Sequence, residues 1–204
     1  MMKAFWSSEL KHKVERMKPI YQKIFERAKP FLRTRKNLIH TRIALRYALK
    51  LLKTVKADDE IVVPAILLHD VGWKAVPEDL QLTAFGPNQS NSRAARLHEV
   101  EGAKMARKIL EELHYPPEKI EGIFRIIRGH DSRKKSISRS DRIVKDADKL
   151  FRYSRKGMAI DVNRFRTRRG DHLGYLDRHI EKWFFLPVSR QLAREELAQR
   201  RKEN

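Results

Sequence analysis

Cysteine does not occur in this chain of 204 residues, which excludes disulfide staples, zinc–thiolate sites and thiol nucleophiles. Any bound metal must be held by nitrogen and oxygen. Glycine and proline are scarce at eight each, so few positions can break a regular backbone. No apolar run approaches the ~20 residues that cross a bilayer. The opening MMKAFWSSELKHKVERMK lacks the apolar stretch and cleavage site of a secretory signal, so a cytoplasmic protein is expected. Acidic residues are outnumbered 26 to 46 by basic ones, leaving a formal charge of +20.

That charge is unevenly spread. The basic excess is +8 over residues 1–36, +11 over residues 125–170 and +1 over everything else. Such a field attracts phosphates, whether on nucleotides, nucleic acid or an anionic membrane surface. With 41% apolar and 35% charged residues, the composition suits amphipathic helices with solvated outer faces.

Apolar residues mostly recur three and four apart, which predicts an all-α protein with no strand pattern. We divide the chain into a basic N-terminal helical arm, residues 1–36, and a compact helical domain with a C-terminal helical extension, residues 37–204. In the arm, Leu10, Val14, Met17, Tyr21, Ile24, Ala28 and Phe31 form one stripe, segmented by Pro19 and Pro30. It is expected to pack on the body, the alternative being a membrane-surface or partner helix. An amphipathic helix is predicted from Asn37 to about Val55. A second, near-continuously apolar to Leu68, ends in His69-Asp70. The polar stretch from Gly72 to Arg93 reads as a long connection able to cover a site. Helices are expected to resume at His98, after Pro116-Pro117, over residues 138–157, and in two pieces split at Pro187.

A buried helix ending in His-Asp leaves polar groups without local partners, a need that a metal ion would meet. Taken singly, such a pair reads as an ordinary helix cap. It gains meaning from an ordered series: His40, then His69-Asp70, then His98, then His130, then Asp148. Asp146 competes with Asp148, because residues two apart on a helix do not share a face and only one can point at a given site.

The segments NLIHTRIALRYAL, AILLHDVGW, LHEVEGAKMARKIL, IIRGHDS and RIVKDADKL together resemble the HD superfamily of metal-dependent phosphohydrolases, over residues 37 to 155. The resemblance implies a multi-helix HD-domain bundle with His40, His69, Asp70 and Asp148 as a shared metal site. His98 and His130 look like the ligands of members that bind two metals, with Asp70 bridging the ions. His69 and Asp70 are then the catalytic pair. The similarity favours Asp148 over Asp146, which could instead orient a histidine or be a surface carboxylate. Imidazoles with carboxylates suit Mn, Fe, Co, Ni or Zn better than Mg, although Mg remains open.

Basic residues beside these motifs are candidates for binding substrate phosphate: Lys74 after the HD pair, Arg128 and Arg133 around His130, and Arg42 near His40. Asp131 is a possible partner of a ligand histidine. The expected activity is hydrolysis of phosphate esters or anhydrides in a nucleotide or related small metabolite by metal-activated water, as a phosphomonoesterase or phosphodiesterase. The alternatives are a nucleic-acid-associated protein, motivated by the two basic segments, and a non-catalytic nucleotide sensor. No helix-turn-helix, zinc-finger or RNP signature accompanies the charge. Sequence leaves the oligomeric state open.

Overall fold

The computed structural model describes residues 17–87 and 90–203; the start of the expected arm, with Leu10 and Val14, lies outside them. Among the described residues the fold is all-α, and no strand occurs. In chain order the helices are α1 (Pro19–Ala28), α2 (Asn37–Leu52), α3 (Asp59–Leu68), α4 (Glu78–Gln81) and α5 (Ser92–Glu112). They continue with α6 (Pro117–Ile127), α7 (Arg139–Leu150), α8 (Arg155–Phe165), α9 (Arg169–Trp183) and α10 (Pro187–Lys202). Short 3-10 turns occupy Phe31–Arg33, Val71–Ala75 and Phe151–Tyr153.

The apolar run predicts a helix buried on every side, and α3 is that helix. It packs against α1, α2, α6 and α7, with Val62 to Leu68 all buried. Burying each Leu or Ile here contributes roughly 1.5–3 kcal/mol, so this run anchors the bundle. Pro64, inside α3, has no N–H to offer the Glu60 carbonyl one turn earlier. Tyr115 Oη donates to that oxygen instead, at 2.7 Å. The helix thus carries a proline without an orphaned carbonyl.

Tyr21, Ile24 and Ala28 of the arm's stripe are buried in the same core, joined by Phe25 and Leu32. Pro19 and Pro187 occupy first helical turns, as their missing N–H allows. Three readings require correction. Helix α5 starts at Ser92, where Asn91 accepts a hydrogen bond from Ala94 N, so His98 lies in its second turn rather than opening it. The connection before it contains the 71–75 turn and α4 rather than being structureless. The stretch 138–157 is two helices, because Ser154 accepts from Gly157 N and starts α8, a helix the apolar spacing did not reveal.

Candidate metal centre

Two helix ends build the middle of the site in the same way. After α3, His69 Nδ1 lies 2.9 Å from Ile66 O, one of the carbonyls a helix C-terminus leaves unpaired. After α6, His130 Nδ1 lies 2.9 Å from Ile127 O. A carbonyl only accepts, so both Nδ1 atoms carry a proton and both Nε2 atoms point inward, where each can give a lone pair to a metal once free of its own proton. The sequence Ile-x-x-His-Asp occurs at both places, 66–70 and 127–131.

His40, in the first turn of α2, brings Nε2 to 2.9 Å from His69 Nε2 and 3.1 Å from Asp148 Oδ1. Asp70 Oδ2 is 3.5 Å from His40 Nε2, and Asp70 Oδ1 is 3.6 Å from His69 Nε2 and 3.9 Å from His130 Nε2. His98 Nε2 completes the group at 3.3 Å from His130 Nε2. The structure therefore brings all six sequence-predicted residues together. It adds Asp131, whose Oδ2 is 3.6 Å from His98 Nε2 and 3.8 Å from His130 Nε2. The repeated Ile-x-x-His-Asp was the available signal for it.

Three overlapping sets have ligand atoms all within 4.8 Å of one another: His40, His69 and Asp148; His69, Asp70 and His130; His98, His130 and Asp131. Imidazole lone pairs facing carboxylate oxygens repel unless a cation lies among them, so the donor set fits divalent metal. Without metal, a proton on His69 takes that place. Burial pushes the His69 imidazolium pKa down, but Asp70 and Asp148 outweigh it and hold it at about 9. Burial pushes Asp70 up, yet the surrounding histidines bring it to about 2. His98, buried beside His130, falls to about 4.

Supporting residues fix this geometry. Trp73 Nε1 donates to Asp70 Oδ1 at 3.0 Å, and its ring stacks on His98 with centroids 4.0 Å apart. Gly72 allows the turn to press on α5; a Cβ there would stand 1.9 Å from the His98 carbonyl oxygen. Buried Glu99 accepts from Asp131 N and Ser132 N, both at 2.8 Å, while buried Lys145 donates to the carbonyls of Gly129, His130 and Arg133. One carboxylate and one ammonium thereby clamp the His130 loop through its own backbone. Sequence reasoning missed both, since their partners are remote in the chain.

Asp148 faces the histidines, whereas Asp146 accepts from Phe185 N and Leu186 N, each at 2.9 Å, ahead of α10. Asp146 is thus neither a histidine partner nor a surface carboxylate; it ties α7 to the C-terminal helices.

The centre opens into a narrow cleft of about 40 Å³. Its cations are Arg35, Lys149, Arg152 and Arg164, and Asn37, Trp73 and Phe85 also line it. Arg35 is held between Trp73 and Phe85, 3.9 and 3.8 Å from the ring centroids, and burial lowers its pKa to about 9. The phosphate-binding candidates from sequence are not part of this cleft. Lys74 is exposed, because in a 3-10 turn it is Trp73, three residues on, that returns to the Asp70 face. Arg128 and Arg133 line a different cavity, with Arg133 bonded to Arg125 O and Asp141. Arg42 lies near the Phe25 ring, away from the cleft.

No described helix is long and apolar enough to cross a membrane. Residues 37–153 match the family model of the HD domain. Neither a curated protein nor a solved structure gives a match.

Proposed function

This chain belongs to the HD-domain family, whose members are generally metal-dependent phosphohydrolases, and from that premise we propose that it hydrolyses a phosphate ester or anhydride of a nucleotide or similar small metabolite. The observation that carries this reading is a set of unused donors beside the metal centre. Arg35 Nε and Nη1 and Asn37 Nδ2 are buried, line the cleft and have no hydrogen-bond partner among the described residues. Buried donors without acceptors are costly, and phosphate oxygens would satisfy them.

We assign His40, His69, Asp70 and Asp148 as the residues that would hold a first divalent ion, and His98 and His130, with Asp70 and Asp131 beside them, as those that would hold a second. Metal bound there would supply Lewis acidity and lower the pKa of water, making hydroxide available at neutral pH. The protein's own part is to aim and to orient. The Nδ1–H contacts of His69 and His130 hold their Nε2 atoms inward, and Trp73 steadies the Asp70 carboxylate. Of the cations lining the cleft, Lys149 is paired with Asp131 and Asp148, and Arg152 and Arg164 with Asp161, which leaves Arg35 as the one without a carboxylate partner among the described residues to offset the charge of a phosphoryl group. Trp73 and Phe85 flank Arg35 and keep water from its planar faces. The cleft is narrow, at about 40 Å³. It suits the reacting phosphoryl group, with the rest of a nucleotide lying outside the cleft.

Metal reconstitution followed by a nucleotide panel tests the proposal. Protein loaded with Mn(II) should bind close to two ions per chain and release phosphate or a nucleoside monophosphate from at least one member. Excess chelator should abolish that release. Metal content below one ion per chain after reconstitution, or turnover indifferent to chelation, would sink the reading.

A further inference from the structure

We infer that the cavity behind the His130 loop is a second phosphate-binding site, independent of the metal centre and shaped for a nucleotide. It measures about 530 Å³, within the range of small-molecule sites, and shares no lining residue with the metal cleft. Four arginines line it, Arg96, Arg125, Arg128 and Arg133, against a single carboxylate, Glu121.

Most charges around it are already matched. Arg96 pairs with Glu99, Arg133 with Asp141, and Glu121 with Arg107. The guanidiniums of Arg125 and Arg128 have no ion pair or side-chain hydrogen bond among the described residues. Three apart at the end of α6, they project from one face, as a fork for phosphate oxygens requires.

A helix C-terminus ordinarily repels anions through its free carbonyls. Here Arg133 donates to Arg125 O and Arg96 to Arg128 O, so two of those carbonyls are capped by positive groups. The same cavity presents apolar surface from Phe124 and from Ile137, one of few large apolar side chains exposed among the described residues. Phosphates on the two free arginines, with a base against Ile137 and the part of Phe124 left open by the Arg107 guanidinium 4.0 Å from its ring centroid, use all of these features.

The inference does not depend on the hydrolytic reading, because its test contains neither added metal nor turnover. Calorimetric titration of the full chain with ATP and with pyrophosphate, in excess chelator, reads binding directly. Arg125→Ala/Arg128→Ala should weaken ATP binding at least about tenfold, while Lys53→Ala/Lys56→Ala, an exposed pair lining neither site, leaves it within about twofold. Both arginines are exposed, so the fold should survive their loss. ATP should bind more tightly than pyrophosphate, and Ile137→Asp should erase the difference. Binding lost with Arg35→Ala but kept in Arg125→Ala/Arg128→Ala, or no binding by wild type, would overturn the site. Equal affinities for ATP and pyrophosphate would overturn its assignment to a nucleotide.

Discussion

Two helix ends, Ile66–Asp70 after α3 and Ile127–Asp131 after α6, meet at the centre with the same local design and different surroundings. Each uses a histidine to cap the carbonyl three residues back, and each follows it with an aspartate. At the first end Asp70 is buried, faces four histidines and, among the described residues, accepts its one hydrogen bond outside the histidines from the Trp73 indole. At the second, Asp131 is 28% exposed and already paired with Lys149. The first end therefore has negative charge to spare for a cation, whereas much of the second end's is neutralised. A common backbone device sets where a histidine points; neighbouring charge sets how strongly the site holds a cation.

The largest expected effect separates the two aspartates. Asp70→Ala should lower metal-dependent kcat/KM by at least about a thousandfold, while Asp131→Ala loses on the order of tenfold. Asp70→Ala should melt like chelator-treated wild type and fail to recover with added metal. Losses of equal size would erase the distinction between the two ends.

Next comes the clamp on the second end, which the first lacks. Lys145→Met leaves three carbonyls of the His130 loop without their donor and should destabilise the protein by about 3 kcal/mol in urea unfolding. An unchanged midpoint would mean that water replaces the ammonium. Glu99→Gln is milder: it removes acceptor capacity for Asp131 N and Ser132 N and should weaken the second ion about 10- to 100-fold, leaving the first unchanged. Metal titration that shows both ions weakened alike would tie the ends together more tightly than proposed.

The smallest effect is on pH dependence without metal. His69 has its folded pKa raised from 6.5 to about 9, so its contribution to stability is present below pH 6.5 and lost as pH rises through 9. His98 is lowered from 6.5 to about 4, so its contribution is present above pH 6.5 and lost as pH falls through 4. Chelator-treated protein should lose a few degrees of melting temperature on both sides of about pH 6.5. His69→Gln should flatten the alkaline limb and His98→Gln the acid limb. A melting temperature that climbs steadily from pH 6.5 to 9 would contradict the charge assigned to the first end.

Much of the framework was legible beforehand because it depends on neighbours in the chain. The three-and-four spacing of Leu38, Ile39, Ile43, Tyr47 and Leu51 predicts α2, and the apolar run to Leu68 predicts α3. The split at Pro187 follows from a missing N–H. Helix α8 was hidden because its start depends on the Ser154 hydroxyl rather than on an apolar stripe. Asp146 and Asp148 differ by two positions, enough to turn one toward α10 and the other toward His40.

The sequence by itself determined an all-α chain and an ordered set of histidines and aspartates with the chemistry of nitrogen and oxygen ligands. Only the tertiary structure decided which of the 46 basic residues line the cleft. The two basic segments meet there, Arg35 from the first and Lys149, Arg152 and Arg164 from the second, with Arg164 Nη2 donating to Arg35 O across 129 positions. Lys74, Arg128 and Arg133 stand close to the motifs in sequence and outside the cleft in space. Helical periodicity is encoded in side chains a turn apart. A long cationic side chain can reach many places, and its destination is fixed by the packing of helices distant in the chain.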